Sequence, residues 1–138
     1  MKKYSLLFIL SVCFCKTYSQ NVISVDTVSA FSDKQITNKV LFHDSLASSF
    51  CIIIKDQVAL HKHLQHAEQV FVVQGEATML LGDKELQIKP NDLIYIPKNT
   101  WHSVKVTSKI PLKVISFQAP YFDGKDRVLP TSKNQGSY

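Results

Sequence analysis

The feature that most constrains this chain is a rhythm. Short segments rich in Val, Ile, Phe and Thr recur along it at 22–31, 36–43, 50–54, 58–63, 68–74, 77–81, 85–88, 93–96, 102–106 and 112–117. Turn formers separate most of them, including Gly75, Gly82-Asp83, Pro90-Asn91-Asp92 and Pro97-Lys98-Asn99. β-Branched and aromatic runs punctuated in this way predict an all-β barrel or sandwich. No segment sustains apolar residues at helical spacing with both a cap and a stop. Helix is expected only as a short piece over 45–49, where Asp44 could cap it.

The first twenty residues stand apart from that rhythm. Lys2 and Lys3 precede an apolar run over 6–14, which stops at Lys16. A membrane-spanning helix needs roughly 20 apolar residues, so this run suits a signal-peptide core instead. Thr17 and Ser19 put small residues three and one before a cut that leaves Gln20 as the new N-terminus. The reading is a signal peptide over 1–19 and a single domain over 20–138, periplasmic or secreted, without a membrane span. Leu10-Ser11-Val12-Cys13 resembles a lipidation motif, but Val12 is bulkier than the small residue such motifs place before the Cys.

Cleavage changes the charge and the cysteine count. Of 16 basic residues, Lys2, Lys3 and Lys16 leave, so 13 face 11 acidic ones and the net charge falls from +5 to about +2. No dense Lys/Arg cluster survives, which argues against a nucleic-acid partner. Cys13 and Cys15 leave as well. Cys51 remains alone within an apolar run, where it reads as a small buried hydrophobe. The tail from Asp123 onward is polar and is expected to wrap the barrel briefly and then fray. Asp123-Gly124-Lys125-Asp126-Arg127 reads as a solvated turn, with closure of the barrel mouth over a ligand as the functional alternative.

The chemistry concentrates in His61-Lys62-His63-Leu64-Gln65-His66-Ala67-Glu68. Side chains at i and i+2 of a strand share a face. His61 and His63 therefore point together, away from Lys62. Glu68, at the start of the next strand, is placed to fold back beside them. His102 is the best candidate for a fourth ligand, because it follows the Pro97 turn and opens another strand. His66 falls in the turn and reads as solvated, with a supporting or alternative-ligand role open. His43 reads as structural or surface.

These residues carry a resemblance. His61-x-His63, Glu68 and Gly75 resemble the first motif of the cupin superfamily, and Pro97 with His102 resembles the core of its second. The resemblance implies a double-stranded β-helix of the jelly-roll type. It also implies one divalent metal (Fe, Mn, Ni, Zn or Cu) held inside the barrel by His61, His63, Glu68 and His102. The chain departs from the family where glycines are usual, with Lys55, Asn91 and Asn99 in their places. Asn is the commonest non-Gly residue at positive φ, so the last two are compatible with the same turns. Val106 replaces an Asn that often ends the second motif and is not a ligand.

Four protein ligands on an octahedral ion leave two positions open for a chelating substrate or for dioxygen. An exported metal cupin meets scavenged nutrients, which points to a sugar or sugar acid and to an isomerase, lyase or oxygenase. A non-catalytic binding or sensor module is the alternative, and a barrel with a purely structural metal is a third reading. Tyr95 and Gln118 are candidates for acid–base work, subject to strand register. Tyr95, Trp101 and Phe117 read as core more readily than as substrate contacts. The strand expected over 22–31 offers an edge through which two copies could pair.

Overall fold

A computed structural model describes residues 22–30 and 33–131. The leader expected over 1–19, Phe31 and the end of the tail lie outside the described residues. Among the described residues nine strands follow in order: β1 (Ile36–His43), β2 (Ser48–Ile54), β3 (Gln57–His61), β4 (Ala67–Gln74), β5 (Ala77–Leu81), β6 (Lys84–Ile88), β7 (Leu93–Ile96), β8 (His102–Val106) and β9 (Leu112–Ala119). They form two antiparallel sheets, ordered β1-β2-β9-β4-β7 and β3-β8-β5-β6. This is the double-stranded β-helix that the rhythm and the motifs led us to expect. Among the described residues no helix is long and apolar enough to cross a membrane.

The two sheets close on an apolar core of Ile54, Val70, Val72, Ala77, Met79, Ile88, Ile94, Ile96, Leu112 and Val114. These residues come from alternate positions of their strands, as the pleat requires. Tight turns hold the sheets in register. Gly75 turns between β4 and β5 at φ 80°, where a Cβ would lie 2.7 Å from the Pro111 carbonyl and 2.9 Å from the Leu112 Cα. Only glycine fits that approach. Asn91 and Asn99 take φ of 75° and 61°, so both Asn-for-Gly departures keep the left-handed turn.

Two expectations fail. The strand expected over 22–31 does not form among the described residues of that range. Its described part, residues 22–30, forms a 3-10 turn at Val25–Thr27 and no strand. Val25, Val28 and Ala30 instead pack against Cys51, Ile53 and Leu41, and Lys113 Nζ donates to the Val25 carbonyl at 3.3 Å. The apolar residues there serve one-sided packing, so the segment supplies no strand edge for pairing two copies. The short helix over 45–49 is also absent. Asp44 accepts from the backbone N–H groups of Leu46 (2.7 Å) and Ala47 (3.0 Å). That closes a hairpin turn, and Ser48 already belongs to β2.

Candidate metal centre

A β-bulge sets the geometry of the site. β3 and β8 pair Val58 with Val104 and His61 with His102. Three residues advance on β3 while two advance on β8, so β3 carries one extra residue. The bulge reverses the parity of β3, so that Val58 and His61 both line the interior cavity. It also sets His61 directly opposite His102, with ring centroids 4.1 Å apart. β3 ends at His61, and His63 follows an isolated bridge between Lys62 and Val128. Its ring lies 5.3 Å from that of His61 and 5.6 Å from that of His102.

One nitrogen from each of His61, His63 and His102 lies within 4.8 Å of the others. Glu68, at the start of β4, brings Oε2 to 3.7 Å from His63 Nε2 and 3.5 Å from His102 Nε2. The structure thus gathers all four residues singled out from the sequence, and all four are buried.

The protonation pattern follows from the partners. Nδ1 of His61 meets the Ala59 carbonyl at 2.9 Å, Nδ1 of His102 meets the Thr100 carbonyl at 3.0 Å, and Nδ1 of His63 meets the Asp126 carbonyl. A carbonyl only accepts, so each Nδ1 carries a proton, and a ring that holds no second proton keeps its lone pair on Nε2. The Nε2 of His102 is buried without a partner. Desolvation, helped by the neighbouring His102 and Arg127, holds His61 down to about 3, with the Ala59 carbonyl opposing. Burial pushes the Glu68 carboxyl up, but the His102 imidazole beside it, the hydrogen bond that the Ser116 hydroxyl donates and the nearby His63 outweigh it. The carboxyl ends below its usual range and is ionised at neutral pH. Neutral imidazoles with free Nε2 atoms beside one carboxylate are the donor set a divalent ion requires, and the carbonyls orient the rings from behind. The residues present fit such an ion.

His66 is buried rather than solvated, and it faces away from the donor set. Its Nδ1 lies 2.6 Å from Asp126 Oδ2 and its Nε2 3.0 Å from the Tyr121 carbonyl. Both partners are acceptors, so the ring is the donor in each bond it makes. Asp126 also accepts from the backbone N–H groups of Leu64, Gln65 and His66. Its carboxyl is held near 2: burial raises it, and the hydrogen bonds of His66, Gln65 and Leu64 more than offset that. Asp126 therefore clasps the turn between two of the site's residues, which a reading of 123–127 as solvated missed. Nothing in local sequence signals a carboxylate whose partners lie about sixty positions upstream.

Register decides the remaining candidates. Tyr95 pairs with Gln69 while Ile96 pairs with Glu68, so Ile96 points inward and Tyr95 is 58% exposed. Phe117 likewise faces outward, and Trp101 is half-buried beneath Lys62, whose Nζ sits 4.8 Å from the ring centroid. None of the three is core, and none lines the cavity. Gln118 does line it, opposite Glu68 on β4, and its Oε1 is buried without a partner. His43 is exposed beside Tyr121, as read. Cys51 is fully buried, with its thiol pushed up by desolvation. The cavity, about 160 Å³, is apolar at one end, where Ile54, Val70, Met79, Ile88 and Leu112 contribute. The four site residues, Gln118, Phe122 and Arg127 contribute at the other.

Comparison with known proteins agrees with this fold. Residues 50–117 match the cupin domain family. An uncharacterised protein of Methanocaldococcus jannaschii is 29% identical over 82 residues, 59% of this chain and 65% of its own length. A mannose-1-phosphate guanylyltransferase of Salmonella muenchen is 33% identical over 78 residues, 56% of this chain but 16% of the enzyme. The chain thus spans less than two thirds of either relative. The solved structure of Pac13, a nucleoside dehydratase of Streptomyces, superposes with a TM-score of 0.63 at 18% identity, covering 87% of this chain and all of that one.

Proposed function

This chain belongs to the cupin family, and from that premise we propose that it is a metal-dependent enzyme acting on a small oxygen-rich molecule such as a sugar or sugar acid. The observation that carries the reading is the gathering of one nitrogen from each of His61, His63 and His102 beside the buried Glu68 carboxylate. His61, His63 and His102 would hold the ion through Nε2 and Glu68 through Oε2. When bound, a divalent metal supplies Lewis-acid chemistry, or a place for dioxygen, in an isomerase, lyase or oxygenase. The chain's own residues do the rest. The carbonyls of Ala59, Thr100 and Asp126 orient the imidazoles, Ser116 fixes the carboxylate, and Gln118 offers an acceptor to a substrate hydroxyl. The leader-like pattern over 1–19 supports action outside the cytoplasm, and mass spectrometry of the exported protein, expected to begin at Gln20, checks it.

A binding module without turnover is the second reading. It is favoured by one observation: apart from the four site residues, Arg127 is the only titratable side chain among the described residues lining the cavity, and it does not give up its proton at neutral pH. Turnover of an oxygenated substrate separates the two.

Elemental analysis of wild type and His63→Ala tests the site. Near one equivalent of metal in wild type, largely lost in the variant, is expected. A folded wild type that refuses Fe, Mn, Ni, Zn and Cu at neutral pH sinks the metalloenzyme reading.

A further inference from the structure

Arg127 stands at the mouth of the cavity, exposed on its outer side, and the proposed reaction leaves it unused. Among the described residues lining the cavity it alone carries a permanent positive charge. Its backbone is clamped on both sides. Asp126 before it caps the 63–66 turn, and Val128 after it exchanges two backbone hydrogen bonds with Lys62, at 3.0 and 2.9 Å. The chain is thus fixed beside the donor set, while the guanidinium makes no hydrogen bond and no ion pair with any described residue. Desolvation lowers its pKa, and the charge of Glu68 partly opposes that. Glu68 does not need it as a partner, since one carboxylate oxygen takes the Ser116 hydroxyl and the other faces His63 and His102. A second polar group, the Gln118 amide oxygen, is unpartnered in the same cavity on a residue 5% exposed.

We propose that Arg127 anchors a carboxylate of the substrate, so that the ligand is a small acid rather than a neutral sugar; this rests on the metal-dependent reading above. A guanidinium presents a rigid fork of N–H donors that matches a carboxylate in two parallel hydrogen bonds. The charge balance points the same way. A divalent ion held by neutral imidazoles and one carboxylate leaves a single positive charge in excess. Arg127 raises that excess to two, which an acid offsets and a neutral molecule does not. The acid's hydroxyl groups then meet an acceptor in Gln118.

The test is calorimetric titration of the full chain with D-galacturonate and with D-galactose, which differ by a carboxylate in place of a hydroxymethyl group, with metal content measured on the same samples. Metal-loaded wild type is expected to bind the acid at least about tenfold more tightly than the neutral sugar. Arg127→Gln is expected to erase that preference while keeping the metal and the melting temperature. Arg127→Lys, which keeps the charge and loses the fork, is expected to retain part of it. A preference unchanged in Arg127→Gln, or a wild type that binds both sugars alike or neither, overturns the proposal. The two readings fail separately. An Arg127-dependent preference in a protein that takes up no metal removes the metal reading and leaves the anchor. One equivalent of metal with an Arg127-independent preference does the reverse.

Discussion

The inward row of β9 runs Leu112, Val114, Ser116, Gln118, with exposures of 1, 3, 0 and 5%. Burial is therefore nearly constant along the row, while the chemistry reverses at its middle. Leu112 and Val114 belong to the apolar core, Ser116 bonds the Glu68 carboxylate, and Gln118 leaves an amide oxygen unpartnered. β4 changes in the same place, since Val72 pairs with Val114 and Glu68 with Gln118. One barrel thus holds two interiors. The apolar end gains from leaving water, on the order of 1.5–3 kcal/mol for a fully buried Leu or Val. The polar end keeps groups whose burial costs free energy unless something binds them.

Substitutions along that row sharpen the contrast or break it. Leu112→Ala is expected to cost about 2–5 kcal/mol, read by urea unfolding, with the same loss whether or not metal is present. A loss below about 1 kcal/mol would show that the apolar end does not carry the stability. Acid comes next, with a loss of comparable size spread over several pH units. His61 has a folded-state value of about 3, below its ordinary 6.5, so the unfolded chain binds the extra proton between those values. The stability from keeping His61 neutral is complete above 6.5 and is lost as pH falls toward 3, by about 1.4 kcal/mol per pH unit. Metal-free His61→Phe should show a flatter stability–pH profile over that window, and an unchanged slope would remove the argument. The smallest effect is at Gln118. Gln118→Leu removes an unsatisfied buried polar atom and is expected to stabilise the metal-free protein by about 1 kcal/mol. Clear destabilisation would mean that the amide oxygen already has a partner, beyond the 3.5 Å bond that Nε2 donates to Ser116 Oγ.

Much of this was legible because it is local. Strand positions follow from β-branched runs and turn formers, and the Asn-for-Gly turns follow from the left-handed tolerance of Asn. His61, His63, Glu68 and His102 stood out through spacing and family resemblance together. Tyr95 was misread because parity cannot be assigned until the register with β4 is known, and one residue exchanges it for Ile96. Ser116 was not legible as part of a site, and Asp126 and Arg127 were so only through the alternative of a mouth-closing turn, because each acts on a partner far away in the chain.

The sequence by itself determined the all-β class and the strand rhythm, since these depend on side-chain type and on spacing over a few residues, and with the family resemblance it singled out His61, His63, Glu68 and His102 as candidates. Tertiary structure alone decided what faces the cavity. An extra residue in β3 turns His61 inward opposite His102, and the returning C-terminal segment brings Asp126 and Arg127 to a turn some sixty residues earlier. Both depend on pairing between distant strands, where a shift of one position reverses every side chain and no local pattern records the choice.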